Sequence, residues 1–385
     1  MSPGTFHFSC GQHSPTLASS PVYLDWNSTS PISHDVLDAM RWAAESAWAN
    51  PSSVHSLGRQ SRSVIEHVRA DLSELIGARP SNVVFTSGGT ESNNCALADA
   101  PGLVLSRLEH PSVTQQGDKL ADMGRPVRWL EVRPNGQVNV ESLVSCLRDM
   151  PPGSRVAVMA VNHETGVIQP LEEISEVVHQ HGAWLHVDAV QALGKIDPAA
   201  WSCWDTLSLG AHKIRGPKGI GALAWKCGTP IPRPMLMGGL QERGIRPGTV
   251  DPILVVGFGA ALGHARDSPR ERGPLKLLRN QLELALRSVA EPNVPDDSIR
   301  LDHVASLYVR GWSGAELVAA LDLEGICISS GSACAAGTTD VSPVITAMLG
   351  IERARSTIRV SLGETTTERE IHCAIDAFYK VFART

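Results

Sequence analysis

Val64, Ile65, Val68, Leu72, Leu75 and Ile76 recur at the three- and four-residue steps that line one face of a helix, and Gly77 follows as its stop. The run Val83-Val84-Phe85-Thr86 then predicts a short strand, closed by a glycine turn and a further helix. The alternation continues with strands expected at 102–106, 155–161, 184–188 and 205–209, and a helix at about 171–181. These strands are apolar almost throughout rather than at every second position. Both faces are therefore expected to be buried, as in a parallel sheet flanked by helices. From about residue 36 the pattern is that of a layered α/β domain.

The rhythm changes after about residue 250. Arg266-Asp267-Ser268-Pro269-Arg270-Glu271-Arg272 reads as a charged surface connection. Beyond it a helix at about 275–290, a strand near 305–309, a helix at 314–323 and a strand at 357–361 suggest a smaller α+β domain. A closing helix at about 367–382 places Ile371, Ala374, Ile375, Phe378 and Val381 on one face. The expected division is a loose extension over 1–20, a large domain over 36–250, and a small domain built from 21–35 and 251–385.

Charge and cysteine usage narrow the function. A formal net charge of −6 on 385 residues gives no reason to expect direct nucleic-acid binding. The eight cysteines lie at 10, 95, 146, 203, 227, 327, 334 and 373, with no CxxC or CxxH spacing. Neither a structural zinc site nor a disulfide framework is expected, and a reducing cytoplasm fits best. His179, His181 and His186 are too loosely spaced to suggest metal ligands. The first twenty residues lack the layout of a secretory signal, and no eighteen apolar residues run together, so no membrane span is expected.

Two segments carry the chemistry. His186-Val187-Asp188-Ala189-Val190-Gln191 ends one expected strand with an acid, and Leu207-Ser208-Leu209-Gly210-Ala211-His212-Lys213 ends the next with an amine. Pyridoxal 5′-phosphate needs that pair: Lys213 to form a Schiff base and Asp188 to keep the pyridine nitrogen protonated. Ser87-Gly88-Gly89-Thr90-Glu91-Ser92-Asn93-Asn94, between strand and helix, suits a phosphate, because glycines let the backbone approach and the helix start supplies free N–H groups. Gly216-Pro217-Lys218-Gly219-Ile220-Gly221 follows Lys213 without opening a long helix and reads as a hairpin turn. Ser329-Ser330-Gly331-Ser332-Ala333-Cys334 adds a thiol among small residues and points to sulfur chemistry.

Taken with Tyr23-Leu24-Asp25, Asn50-Pro51-Ser52-Ser53-Val54-His55, Asn162-His163-Glu164-Thr165-Gly166 and Ala211-His212-Lys213, these motifs resemble the cysteine desulfurases of the iron–sulfur-cluster and nitrogen-fixation type. That group lies in the class-V aminotransferase superfamily of fold-type I pyridoxal phosphate enzymes. The resemblance runs in order from about residue 21 to the end. It implies a homodimer that takes L-cysteine, releases L-alanine and passes sulfur from a Cys334 persulfide to an acceptor protein. By the same resemblance His110 stacks on the cofactor ring and moves protons, while Asn162 and Gln191 flank the phenolic oxygen. Gly89, Thr90, Ser208 and His212 serve the phosphate, Thr249 reaches the phosphate of the neighbouring subunit, and Arg359, with Asn162, holds the substrate carboxylate. Cys327 is expected to be a core thiol.

Trp26-Asn27-Ser28 stands where the commoner pattern reads Asn-Ala-Ala. Pro247, Val250 and Asp251 alter another motif, and 290–312 lacks a usual Pro-Asn-Thr element. Two other readings compete: a selenocysteine or cysteine/cystine β-lyase, whose activity survives Cys334→Ala, and a non-catalytic scaffold, which the retained Lys213, Asp188, His110 and Cys334 disfavour.

Overall fold

A computed structural model describes residues 21–267, 273–331 and 341–384. The extension expected over 1–20 and Cys334 lie outside the described residues. The chain opens with β1 (Val22–Tyr23), α1 (His34–Ser46) and α2 (Ser56–Ile76), which ends at Gly77 in the left-handed region, φ 68°. There follow β2 (Val83–Thr86), α3 (Gly89–Leu97), β3 (Leu103–Ser106), α4 (Pro111–Asp122), β4 (Val127–Leu130) and α5 (Val140–Leu147). Next come β5 (Arg155–Met159), α6 (Leu171–Gln180), β6 (Trp184–Asp188), β7 (Thr206–Gly210) and β8 (Gly221–Trp225).

These central strands form one seven-stranded sheet in the order β2-β8-β7-β6-β5-β3-β4. It is parallel except at β8, which the Gly216–Gly221 turn folds back antiparallel between β7 and β2. Edge strand β4, whose apolar run is broken by Arg128, was not expected from the sequence. Strands β2, β3, β5, β7 and β8 are buried along their whole length, and β6 is buried after Trp184, as continuous apolar runs require.

After the sheet come α7 (Pro252–Asp267), α8 (Gly273–Ala285), β9 (Glu291–Pro292), β10 (Val304–Tyr308), α9 (Gly314–Leu323) and β11 (Ile326–Cys327). The chain closes with α10 (Pro343–Leu349), α11 (Ile351–Arg355), β12 (Thr357–Ser361) and α12 (Glu368–Phe382). A separate antiparallel sheet, β12-β10-β9, packs under α8, α9 and α12 around Leu282, Leu321, Ile358, Ile371 and Phe378. A capping box of Thr367 and Glu370 starts α12, satisfying two exposed donors of its first turn.

The packing changes later than the sequence rhythm does. Helix α7 lies against α1 and α2, and its Val255, Phe258, Ala261, Leu262 and Ala265 join the large core. Its sequence, Pro252-Ile253-Leu254-Val255-Val256-Gly257-Phe258, is apolar on nearly every side, as a helix enclosed by others must be. The break at residue 250 in the sequence reading therefore corresponds in space to a position after α7. Segment 22–30 joins the two cores: β1 pairs with β11, while Ser30 Oγ donates to the His212 carbonyl and accepts from the Arg215 N–H.

Candidate active site

The carboxyl ends of parallel strands gather the loops of a doubly wound sheet, and ligands bind there. In this chain the ends of β2, β3, β5, β6 and β7 surround a cavity of about 430 Å³. Its wall includes Asn27, Ser28, Gly89, Thr90, His110, His163, Asp188, Gln191, His212, Lys213 and Arg359.

Asp188 closes β6 with its carboxylate held from two sides. Asn93 Nδ2 donates to Oδ2 at 2.7 Å and the Val190 N–H donates to Oδ1 at 3.0 Å. Asn93 is itself fixed, because its Oδ1 faces His186 Nε2 at 2.9 Å and His186 Nδ1 faces Thr206 Oγ1 at 2.9 Å. An amide oxygen only accepts, so His186 carries its proton on Nε2. Burial drives His186 down to about 3, so this chain of bonds stays neutral and rigid. The sequence favoured a surface or core role for His186 over a metal ligand, and the side chain is fully buried, but its bond to Asn93 exists only once β6 and α3 are in contact.

His110 caps α4 rather than standing alone on a loop. Its Nδ1 accepts from the Ser112 N–H at 3.1 Å, with Pro111 at the first helical position. That acceptor role places the ring proton on Nε2. Burial lowers the affinity of His110 for a second proton, Asp188 opposes this, and Lys213 reinforces it. His163 is held well below the usual imidazole range by burial first, then by His110, Arg359 and Lys213. The two rings meet edge-on with centroids 5.9 Å apart. Both imidazoles are thus neutral at pH 7.

Lys213 ends a short 3₁₀ turn after β7, and the backbone reverses at Arg215, φ 63°. Its Nζ donates to the carbonyls of Asn27 at 2.5 Å and Ser28 at 2.7 Å. Gly89 opens α3 against Val190, where an added Cβ would lie 2.5 Å from Val190 Cγ2. Thr90 stands beside it, and His212 is pushed down to about 4 by burial first and then by Lys213.

Arg359, 1% exposed on β12, reaches the cavity from the small sheet. Its Nη2 donates to Asp25 Oδ1 at 2.6 Å and Ser28 Oγ at 2.7 Å, and Nη1 to the His163 carbonyl at 3.0 Å. The buried Nε–H has no acceptor among the described residues. The guanidinium is fixed in place on the cavity wall, and an arginine there suits a carboxylate.

Not every expected site residue converges. Asn162 is fully buried with its amide consumed locally: Nδ2 donates to the Leu108 carbonyl, and Oδ1 accepts from the Glu164 and Thr165 N–H groups and the Thr165 hydroxyl. The neighbouring His163 takes the place on the cavity wall. Ser208 is buried in β7, its Oγ 3.5 Å from His186 Nε2, and it does not line the cavity. Thr249 is exposed and lies outside the cavity of its own chain. Cys327 is half-buried on β11, its Sγ 4.0 Å from Asp322 Oδ1, and burial pushes its thiol up. His179 pairs with Asp205 and His181 with the Val177 carbonyl.

The residues present fit pyridoxal phosphate. A helix start crowded onto Val190 can take the phosphate, a doubly anchored carboxylate faces the amine across one cavity, and a neutral imidazole stands beside them.

Comparison with known proteins agrees with this geometry. The class-V aminotransferase family matches residues 22–373, and the chain belongs to it. A cysteine desulfurase of Nostoc sp. (strain PCC 7120) is 36% identical over 378 residues, covering 95% of this chain and 94% of that protein. A solved structure described as a NifS-like protein shares the fold at a TM-score of 0.87 and 30% identity, covering 95% of this chain and 100% of that one. Another, SspA in complex with cysteine, matches at a TM-score of 0.75 and 30% identity over 88% of this chain and 98% of that one.

Proposed function

We propose that the protein is a pyridoxal phosphate-dependent L-cysteine desulfurase that works as a homodimer, loads sulfur on Cys334 and passes it to an acceptor protein. The observation that carries this reading is the meeting of Lys213, Asp188 and Arg359 on one cavity, each fixed by a different part of the fold. When bound, the cofactor supplies an electron sink for the bonds at the substrate Cα.

The chain's own residues do the rest. Arg359, on the cavity wall, would take the substrate carboxylate. Lys213 Nζ would hold the cofactor at rest and would move the proton at the substrate Cα. Asp188 holds a proton on the ring nitrogen, its charge anchored by Asn93 and the Val190 N–H. Neutral His110 carries a transferable proton on Nε2. The Cys334 thiolate then attacks the substrate Sγ, so that an S–S bond forms as the Cβ–S bond breaks. The bonding electrons remain on the three-carbon skeleton, which takes protons and leaves as alanine.

The dimer reading rests on a patch of apolar side chains left in water between β8 and α7. Ile231, Leu236, Met237 and Leu240 are 64%, 55%, 89% and 88% exposed, and Thr249 follows the patch. Among the described residues no helix is long and apolar enough to cross a membrane, and a cytoplasmic site of action belongs to the proposal.

A single-turnover reaction with L-cysteine tests the reading. Alanine release with a gain of one sulfur atom on the Cys334 peptide is expected. Pyruvate, or alanine with Cys334 unmodified, would assign the protein to the lyases instead.

A further inference from the structure

Lys213 is the wall between two cavities. On its other side lies a smaller one, bordered by Lys195, His303, Arg215, Glu364 and Trp26. Lys195 is 5% exposed, and its Nζ donates to Asn27 Oδ1 at 3.2 Å and to Gln191 Oε1. Asn27 is 1% exposed and serves both lysines: its backbone carbonyl accepts from Lys213 Nζ and from Gln191 Nε2, the latter at 2.9 Å. Two ammonium groups are therefore keyed to one asparagine.

The chemistry of Lys195 fixes the amides around it. An ammonium has only protons to give, so the atoms it touches on Asn27 and Gln191 are oxygens. Each amide nitrogen then faces a carbonyl, Asn27 Nδ2 that of His163 at 3.1 Å and Gln191 Nε2 that of Asn27. His303 Nε2, 3.1 Å from the same Asn27 Oδ1, must carry a proton as well. Gln191 Nε2 thereby donates to the same Asn27 carbonyl that accepts from Lys213, and Gln191 lines the cofactor cavity.

We propose that Lys195 is a positioning residue for the reaction at Lys213: its buried charge disfavours a proton on that amine, and its hydrogen bonds turn the Gln191 amide donor-side towards the cofactor cavity. This deepens the desulfurase reading and rests on it. A second ammonium beside a reacting lysine holds that lysine in its nucleophilic, unprotonated form. The charge is felt across the site, since Lys195 adds to Lys213 and Lys218 in depressing His212.

Other groups face Lys213 too. Asp188 on β6 and Glu364 after β12 favour a proton there, though Glu364 is paired with Arg215 at 3.4 Å. Arg359 on β12, with Arg215 and any charge on His303, opposes it. His110, His163 and His212 are kept neutral by burial and add dipoles rather than charge. Of the cations, Lys195 shares Asn27 with Lys213 and Arg359 shares Ser28 with it.

The test compares wild type with Lys195→Met, Lys195→Gln and Lys195→Arg. In the holoenzymes, the absorbance of the Lys213–cofactor linkage is followed against pH. In the cofactor-free chains, the pH midpoint for labelling of Lys213 by trinitrobenzenesulfonate is read from the mass of its peptide. Both midpoints should rise by about one pH unit, a roughly tenfold gain in proton affinity, in Lys195→Met and Lys195→Gln. Lys195→Arg should stay within about 0.3 unit of wild type, since it keeps the charge. The Gln variant keeps a donor for both amides, so it separates charge from packing if the Met variant does not fold. Unchanged midpoints in folded, charge-free variants would overturn the proposal. If wild type takes up no cofactor the desulfurase reading fails, while the labelling midpoints still decide the role of Lys195.

Discussion

Glu109 illustrates how one buried side chain sets a pH dependence. It is 2% exposed, accepts from Ser106 Oγ at 2.8 Å, and its Oε2 has no partner among the described residues. Burial, helped by the charge on Asp188, pushes its carboxyl up to about 8. The folded chain therefore keeps the proton over a range in which the unfolded chain loses it. Stability is fully present below the ordinary carboxyl value near 4.5 and is lost as pH rises towards about 8. Glu109→Gln should remove that loss, so its melting temperature should gain on wild type between pH 5 and 8 and not below; parallel scans across that range check it. At the same scale, Lys213 and Asp188 were legible because their chemical types announce the cofactor. Asn27 and Lys195 were not: Asn27 acts partly through its carbonyl, which every residue possesses, and Trp26-Asn27-Ser28 registered in the sequence only as a departure from a pattern.

Whole elements are locked by pairs remote in sequence. Arg69 of α2 forks onto Glu242, Nη1 and Nη2 each 2.7 Å from a carboxylate oxygen, and Glu242 Oε2 also accepts from the Phe85 N–H of β2 at 2.6 Å. Both side chains are 3% exposed, and Glu242 is held at φ 44° to reach its partners. Glu242→Ala leaves the buried Arg69 with the half-exposed Glu66 as its remaining counter-ion and takes the acceptor from a strand N–H, with an expected cost of about 3 kcal/mol in urea unfolding. Beyond β12, Trp26 lies so close over Gly363 that any Cβ there would overlap the indole. Gly363→Ala should cost about 1–3 kcal/mol and loosen the segment bearing Asn27, seen as weaker cofactor retention on dialysis. Periodicity made most of the long elements legible; β1, β9 and β11 were not, since two residues cannot display a period.

For the molecule as a whole, the α/β class and the later smaller sheet followed from the change in rhythm along the chain. The place of α7 did not, because composition shifts at residue 250 while packing shifts after the helix. The exposed apolar side chains around Met237 and Leu240 make a prediction of their own. If these side chains form the proposed dimer contact, Met237→Asp with Leu240→Asp should sediment as a monomer where wild type sediments as a dimer, with little change in the fold of the subunit.

The stretch from Asp25 to Ser28 sets a timetable. It is made early, yet its partners Arg359 and Ser361 lie 334 positions further on. A growing chain can lay down the seven-stranded sheet while that stretch has nothing to hold it, and the Lys213 amine then lacks its two carbonyl acceptors. Closing so long a loop comes late on entropic grounds. On refolding, helical signal should therefore return before the chain can retain cofactor, and a nascent chain stopped before β12 should be unable to retain it at all.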